Sequence, residues 1–135
     1  MTQELNELSD NVPYQCGRLM ALLADIQRQA LPDVGTGVVQ RYYAAASATP
    51  ELVFGRLIRN SNAHLDKIGE LANLYEGKLA EVWASIKGKV PKTLTLEEQT
   101  LFAMGYYQQI ARIRKQIADA VAAKKAKAAA QPETN

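Results

Sequence analysis

The last third of the chain carries large apolar side chains at intervals of three or four residues. They are Phe102, Tyr106, Ile110, Ile113, Ile117 and Val121. Such intervals place side chains on one face of an α-helix, so this stripe predicts one long C-terminal helix that ends near residue 125. Beyond that point the chain is rich in alanine and lysine, and we expect its end to fray.

The composition favours helices in the rest of the chain as well. Alanine and leucine are abundant, β-branched residues are sparse, and only five prolines occur among 135 residues. A chain of this length is expected to form one domain with its own core. Cys16 is the single cysteine, so no internal disulfide can form, and no long apolar run predicts a membrane segment. We therefore expect a cytoplasmic protein.

Two helices are predicted in the first third of the chain. Pro13 suits the first turn of a helix, and Pro32 would end it. Its predicted inner stripe is Leu19, Leu22, Leu23, Ile26 and Ala30. The polar residues on its other side are Arg18, Asp25 and Arg28. Thr36 can cap a second, shorter helix that runs through Ser47.

A third helix is predicted to start at Thr49-Pro50-Glu51. Thr49 offers a capping hydroxyl, Pro50 suits the first helical position, and Glu51 is attracted to the positive end of the helix dipole. The predicted inner stripe is Phe54, Leu57, Ile58, Leu65 and Ile68. Arg56 and Arg59 therefore belong to other faces of this helix.

Two further helices are predicted after a break at Gly69. Asn73 and Glu76 have the spacing of a capping box at the start of a fourth helix. The inner face of that helix would carry Leu79, Val82, Trp83 and Ile86. Thr95 and Glu98 have the same capping-box spacing at the start of the long C-terminal helix.

These elements predict an all-α fold, a compact bundle of about five helices with a long C-terminal helix. Residues 13–127 are expected to form the single helical-bundle domain. We expect a flexible segment before it, at residues 1–12, and a disordered tail after it, at residues 128–135.

Basic residues are the candidates for binding a partner. The net charge is only +2, but residues 87–127 carry nine bases and three acids. Arg56 with Arg59, and Arg112 with Lys115, are three residues apart, so each pair forms a helical ridge that suits phosphates. The candidate nucleic-acid-binding residues are Arg56, Arg59, Lys87, Lys89, Lys92, Arg112, Arg114 and Lys115. The alternative is that a bundle exposes charges somewhere in any case.

Two tyrosine pairs, Tyr42-Tyr43 and Tyr106-Tyr107, present a similar choice. Adjacent helical residues point about 100° apart, so one member of each pair is expected to pack while the other can be exposed. An exposed tyrosine can stack on a base, although packing between helices is the commoner fate. Gly105 is predicted to allow the close approach of a neighbouring helix.

Residues for catalysis or metal binding are scarce. His64 is the only histidine and Cys16 the only cysteine, whereas hydrolytic triads and metal sites need several converging groups. We expect His64 to lie in the core or at its boundary. No glycine-rich loop has the spacing of a phosphate-binding motif. The sequence therefore predicts no enzyme, no cofactor, no metal and no small-molecule substrate.

Two stretches of the sequence resemble a known family. Residues 47–57 read SATPELVFGRL, and residues 91–99 read PKTLTLEEQ and continue in the same pattern to Tyr107. They are similar to the C-terminal helical domain of the large subunit of type I-C CRISPR Cascade. The resemblance runs in order over residues 13–110 and departs at Gly55, where family members often have proline.

A free-standing chain of this domain resembles the small subunit that is made from an internal start in the same gene. The resemblance implies a non-catalytic subunit that lines the belly of a crRNA-guided antiviral complex. Its partners would be the backbone subunits, the large subunit, other copies of itself and target DNA, as the displaced or another single strand held through its backbone. The alternative is a purely structural spacer that contacts only protein.

Overall fold

The computed structural model describes residues 5–6, 9–32, 37–86 and 89–130. Within these ranges the chain forms no strand and five helices. They are α1 (Val12–Ala30), α2 (Val38–Ala48), α3 (Pro50–Leu65), α4 (Leu71–Ile86) and α5 (Leu96–Ala130). The prediction of an all-α bundle of about five helices with a long C-terminal helix is confirmed.

α1 is the central helix of the bundle. Each of the other four helices packs against it, and every residue from Pro13 to Ile26 is buried. The prediction of a polar outer side on α1 is therefore wrong for Arg18 and Asp25, which are both buried. Only Arg28, in the last turn, is exposed. A helix that is covered by neighbours on all sides has no outer face for its polar residues.

Contacts between helices define how α4 and α5 run relative to α1. The pairs are Arg18–Glu81 and Asp25–Tyr75 with α4, and Arg18–Gln109 and Asp25–Arg114 with α5. Asp25 comes later in α1 than Arg18, but its partner Tyr75 comes earlier in α4 than Glu81, so α4 is antiparallel to α1. The partner of Asp25 in α5, Arg114, comes later than Gln109, the partner of Arg18. α5 and α1 therefore run in the same direction.

α1 and α5 cross at two glycines. A Cβ atom on Gly17 would overlap the carbonyl oxygen of Phe102, and a Cβ atom on Gly105 would overlap the carbonyl oxygen of Tyr14. Only glycine allows the two backbones to touch in this way. The prediction that Gly105 permits close helix packing is confirmed, and Gly17 is its counterpart on α1.

Aromatic rings connect α2 to α5. The ring of Tyr43 lies edge-on to those of Phe102 and Tyr106, with centroid distances of 5.5 and 5.1 Å, an arrangement that adds about 0.5–1.5 kcal/mol per pair beyond burial. Tyr106 is buried and Tyr107 is 59% exposed, as predicted for this pair. Tyr43 thus packs, as predicted for one member of its pair, and Tyr42 is half-buried.

The start of α5 has the predicted capping box. The Glu98 N–H donates to Thr95 Oγ1 at 3.1 Å, and the Thr95 N–H donates to the Glu98 carboxylate at 2.9 Å. At the start of α1, the Asn11 side chain accepts a 2.9 Å hydrogen bond from the Tyr14 N–H. Both helix starts are thus stabilised by partners three residues apart.

The predicted cap of α3 is wrong in its chemistry. Thr49 precedes the helix, but its hydroxyl makes no capping bond to α3. It donates instead to the carbonyl oxygen of Ala45 at 2.9 Å, so Thr49 closes the end of α2. Thr36, the predicted cap of α2, lies outside the described residues.

The predicted break at Gly69 is confirmed, but the start of α4 is not. Gly69 has a φ of 63°, which favours glycine, and α4 begins soon after it at Leu71. Asn73 therefore lies inside the helix and does not cap it.

At the other end of the fold, α5 continues as a helix to Ala130. The helix thus extends past residue 127, the predicted end of the domain.

The described residues before α1 are hydrogen-bonded to that helix. The Asn6 N–H donates to the Tyr14 hydroxyl at 2.9 Å, and Gln15 Nε2 donates to the carbonyl oxygen of Ser9 at 2.6 Å. These bonds place Asn6 and Ser9 against the first turn of α1.

Candidate nucleic-acid interface

The basic pair on α3 lies on the outer face of that helix. Arg56 and Arg59 are exposed, and neither forms an ion pair with any carboxylate that the structure describes. Their spacing of three residues puts both guanidinium groups on one ridge. Planar guanidinium groups bind phosphate oxygens through paired hydrogen bonds. The ridge is therefore free to meet a polyanion.

Two lysines lie in the described part of the loop between α4 and α5, which is hydrogen-bonded to the end of α2 and the start of α3. The Glu51 N–H donates to the carbonyl oxygen of Pro91 at 3.0 Å, and the Leu94 N–H donates to that of Ala48, also at 3.0 Å. Lys89 and Lys92, on either side of Pro91, are exposed.

We call Arg56, Arg59, Lys89 and Lys92 the α3 cationic surface. Lys89 lines the same cavity as Gly55 and Ile58 of α3, which puts it beside the helix although it is more than thirty residues away in sequence. Lys87, also predicted as a contact residue, lies outside the described residues.

A groove next to the α3 cationic surface contains Trp83. The cavity has a volume of about 430 Å³ and is lined by Glu51, Phe54, Gly55, Ile58, Trp83, Lys89 and Val90. Trp83 is 40% exposed, so the prediction that it fills the inner face of α4 is wrong. Helical spacing does not reveal this, because Val82 and Ile86 already form the buried contacts of α4 in this region.

One of the basic residues on α5, Arg114, has a contact that leads to α1. Arg112, Arg114 and Lys115 are all exposed, but Arg114 Nε lies 4.0 Å from Oδ1 of the buried Asp25. Part of the Arg114 charge therefore compensates a buried carboxylate. The structure thus divides the predicted contact residues into two groups, the α3 cationic surface and the α5 group.

A buried polar network, which sequence analysis missed, connects the helices under these surfaces. Arg18 is completely buried; its Nε donates to Gln109 Oε1 at 2.7 Å and its Nη1 to Gln15 Oε1 at 2.9 Å. Its Nη2 lies 3.9 Å from the Glu81 carboxylate. These contacts offset the cost of burying the charge, and through them Arg18 holds α1, α4 and α5 together.

Asp25 forms a second group of hydrogen bonds in the core, separate from those of Arg18. Its Oδ1 accepts a 2.8 Å hydrogen bond from Arg28 Nε, and its Oδ2 accepts a 2.5 Å hydrogen bond from the Tyr75 hydroxyl. Burial, and then the hydrogen bond to Asp25, raise the pKa of Tyr75. Tyr75 therefore remains a neutral donor, and this carboxylate serves the packing of α1 on α4.

His64 lies at the edge of the core, as predicted. It is half-buried at the end of α3, and burial, followed by the charge of Lys67, lowers its pKa. Among the described residues, no three His, Cys, Asp or Glu side chains converge closely enough to hold a metal ion. None of the described helices has the length and apolar character needed to cross a membrane.

Comparison with known proteins gives one family match. The family model described as CRISPR-associated protein (Cas_Csd1) matches residues 1–114. The match confirms the family resemblance that the two sequence stretches indicated, and it extends that resemblance over the first twelve residues. No curated protein matches the chain.

Proposed function

Because the chain belongs to the CRISPR-associated Cas_Csd1 family, we propose that it is a non-catalytic small subunit of a crRNA-guided surveillance complex. In this function it lines the belly of the complex and holds opened target DNA through sequence-independent contacts with the backbone. Its partners are the backbone subunits, the large subunit, further copies of itself and a single strand of the target DNA.

The observation that carries this proposal is the α3 cationic surface. It joins Arg56 and Arg59 with Lys89 and Lys92, and none of the four forms an ion pair with a described carboxylate. Cations that serve packing are paired within the chain, as Arg18 and Arg114 are. Unpaired arginines and lysines on one surface suit phosphates, which need no base readout.

A single copy is expected to bind DNA weakly. The net charge of +2 provides little long-range attraction for a polyanion. Several copies in a row would present their cationic surfaces to the same strand, and the second contact then benefits from a high effective concentration. Weak binding by one subunit is therefore compatible with firm binding by the assembled complex.

Charge reversal in the assembled complex tests the proposal. The double variant R56E/R59E should weaken R-loop formation while native mass spectrometry finds the normal number of subunits. The affinity falls as salt increases, and each phosphate contact to a single strand adds about 0.7 to the steepness of log K against log salt. Removing two contacts should therefore make this dependence less steep by about 1.4. The matched control is K125E/K127E, which makes the same charge change on the exposed end of α5.

The alternative function is a structural spacer, and exposed leucines favour it. Leu52 on α3 and Leu96 at the start of α5 are 79% and 82% exposed, and apolar side chains on an outer surface are typical of protein contacts. Under this alternative, R56E/R59E lowers the number of bound subunits. Unchanged R-loop formation by a fully assembled R56E/R59E complex rejects DNA contact by the α3 cationic surface.

A further inference from the structure

We propose that the groove beside Trp83 holds one unstacked base of the single strand whose phosphates meet the α3 cationic surface. This inference rests on the proposed function and adds the part of the ligand that the groove recognises. Trp83 is the only tryptophan of the chain. Its ring acts as the stacking platform.

The lining of the groove suits a flat ring. It includes the buried Phe54, the half-buried Ile58 and Val90, and Trp83, which is 40% exposed. Gly55 contributes no side chain, and a Cβ atom built there would have no neighbour within 4 Å. A cavity of about 430 Å³ therefore stays open next to an exposed indole. Stacking on an aromatic ring accepts any base, since every base has a π-face.

The charges around the groove favour a nucleic-acid strand over other occupants. Lys89 lines the groove itself, and Arg59 follows Gly55 by one helical turn. A strand that places a base against Trp83 therefore has cations within reach of its neighbouring phosphates. Among the described lining residues, the only acid is Glu51, in the first turn of α3, where the positive end of the helix dipole offsets its charge.

The test compares two strands that differ only in their bases. The probes are a short oligothymidylate and an abasic oligonucleotide of equal length, titrated at low salt against the isolated full chain. We expect oligothymidylate to quench the fluorescence of Trp83 more strongly than the abasic strand does. Trp83→Leu should weaken binding of oligothymidylate about 5-fold or more, the effect of losing one stacked base, and should leave binding of the abasic strand unchanged.

Three variants make the result specific. Trp83→Phe keeps a stacking ring and should retain most of the affinity for oligothymidylate. Tyr107→Leu removes an aromatic side chain that is 59% exposed on α5 and should leave both affinities unchanged. R56E/R59E should weaken both strands by the same factor, because it removes phosphate contacts only.

Each outcome separates the base site from the proposed function. If Trp83→Leu binds oligothymidylate as well as the wild type does while R56E/R59E binds it more weakly, the base site is rejected and the proposed function stands. If R56E/R59E has no effect on either strand, the phosphate contacts are rejected. If Trp83→Leu lowers only the number of subunits in the assembled complex, the groove is a protein interface and the proposal fails.

Discussion

The Tyr75 hydroxyl of α4 donates a 2.5 Å hydrogen bond to Oδ2 of Asp25 in α1, and both side chains are completely or almost completely buried. The other carboxylate oxygen is held by Arg28 at 2.8 Å. A buried carboxylate is tolerated only when its oxygens have partners. This hydrogen bond therefore contributes to the packing of α4 on α1.

Tyr75→Phe should therefore lower the free energy of unfolding by about 1.5–3 kcal/mol, the usual value of a hydrogen bond to a charged group. The ring remains, so the change removes the donor without leaving a cavity. Urea unfolding followed by circular dichroism measures the difference. Tyr107→Phe is the control, and because Tyr107 is largely exposed its effect should stay within about 0.5 kcal/mol. Equal stability of the two variants would contradict the role of Tyr75.

Gly17→Ala should destabilise the protein by about 2 kcal/mol or more, because the new methyl group forces two helix backbones apart. Gly105→Ala should do the same from the other side of the crossing. Gly77→Ala is the matched control, since a Cβ atom there meets nothing within 4 Å, and it should stabilise α4 by up to about 1 kcal/mol. Thermal unfolding measures the stability of the three variants. A Gly17→Ala variant as stable as the wild type would show that α1 and α5 can move apart to accommodate the methyl group.

Arg18→Met should lower the free energy of unfolding by about 3 kcal/mol, because it leaves the side-chain oxygens of two buried glutamines without their donor. Adding Gln109→Leu should recover part of that loss, since one of the two unsatisfied groups is then removed. The buried Gln109 Nε2 already has no hydrogen-bond partner among the described residues. Arg56→Met, on the exposed face of α3, should change stability by less than about 0.5 kcal/mol. Additive effects of Arg18→Met and Gln109→Leu would argue against the network.

His64 should titrate below its ordinary pKa of 6.5, because burial disfavours the charged imidazole and Lys67 repels it. As the pH falls below 6.5, the unfolded chain takes up a proton that the folded chain resists, so stability is lost on acidification. NMR can follow this imidazole directly, since it is the only one in the chain. Lys67→Gln should raise the pKa while leaving it below 6.5. A pKa at or above 6.5 in the wild type would refute this environment.

Helix ends were predictable where the partners are close in sequence. Thr95 and Glu98 satisfy each other across three residues, and Gly69 takes the backbone conformation that its chemistry favours. The prediction failed at Thr49, whose hydroxyl had a choice between the helix before it and the helix after it. A capping residue between two helices can serve either, and the sequence pattern is the same in both cases.

The candidate interface was predictable only as a set of cations. Arg56 and Arg59 follow from helical spacing, but the position of Lys89 beside Gly55 depends on how the loop after α4 returns to α3. The exposure of Trp83 could not be predicted either. A tryptophan next to apolar residues has the pattern of a core residue, and only the packed neighbours determine which side of α4 is covered.

The sequence by itself determined the helical elements, because propensity and capping act between residues no more than four positions apart. Tertiary structure alone decided which polar residues are buried. Arg18 meets Gln109 across 91 residues and Asp25 meets Tyr75 across 50, so their burial depends on how four helices pack around α1. The same packing leaves the arginines of α3 at the surface with no ion-pair partner among the described carboxylates, since α1 covers only the inner face of that helix.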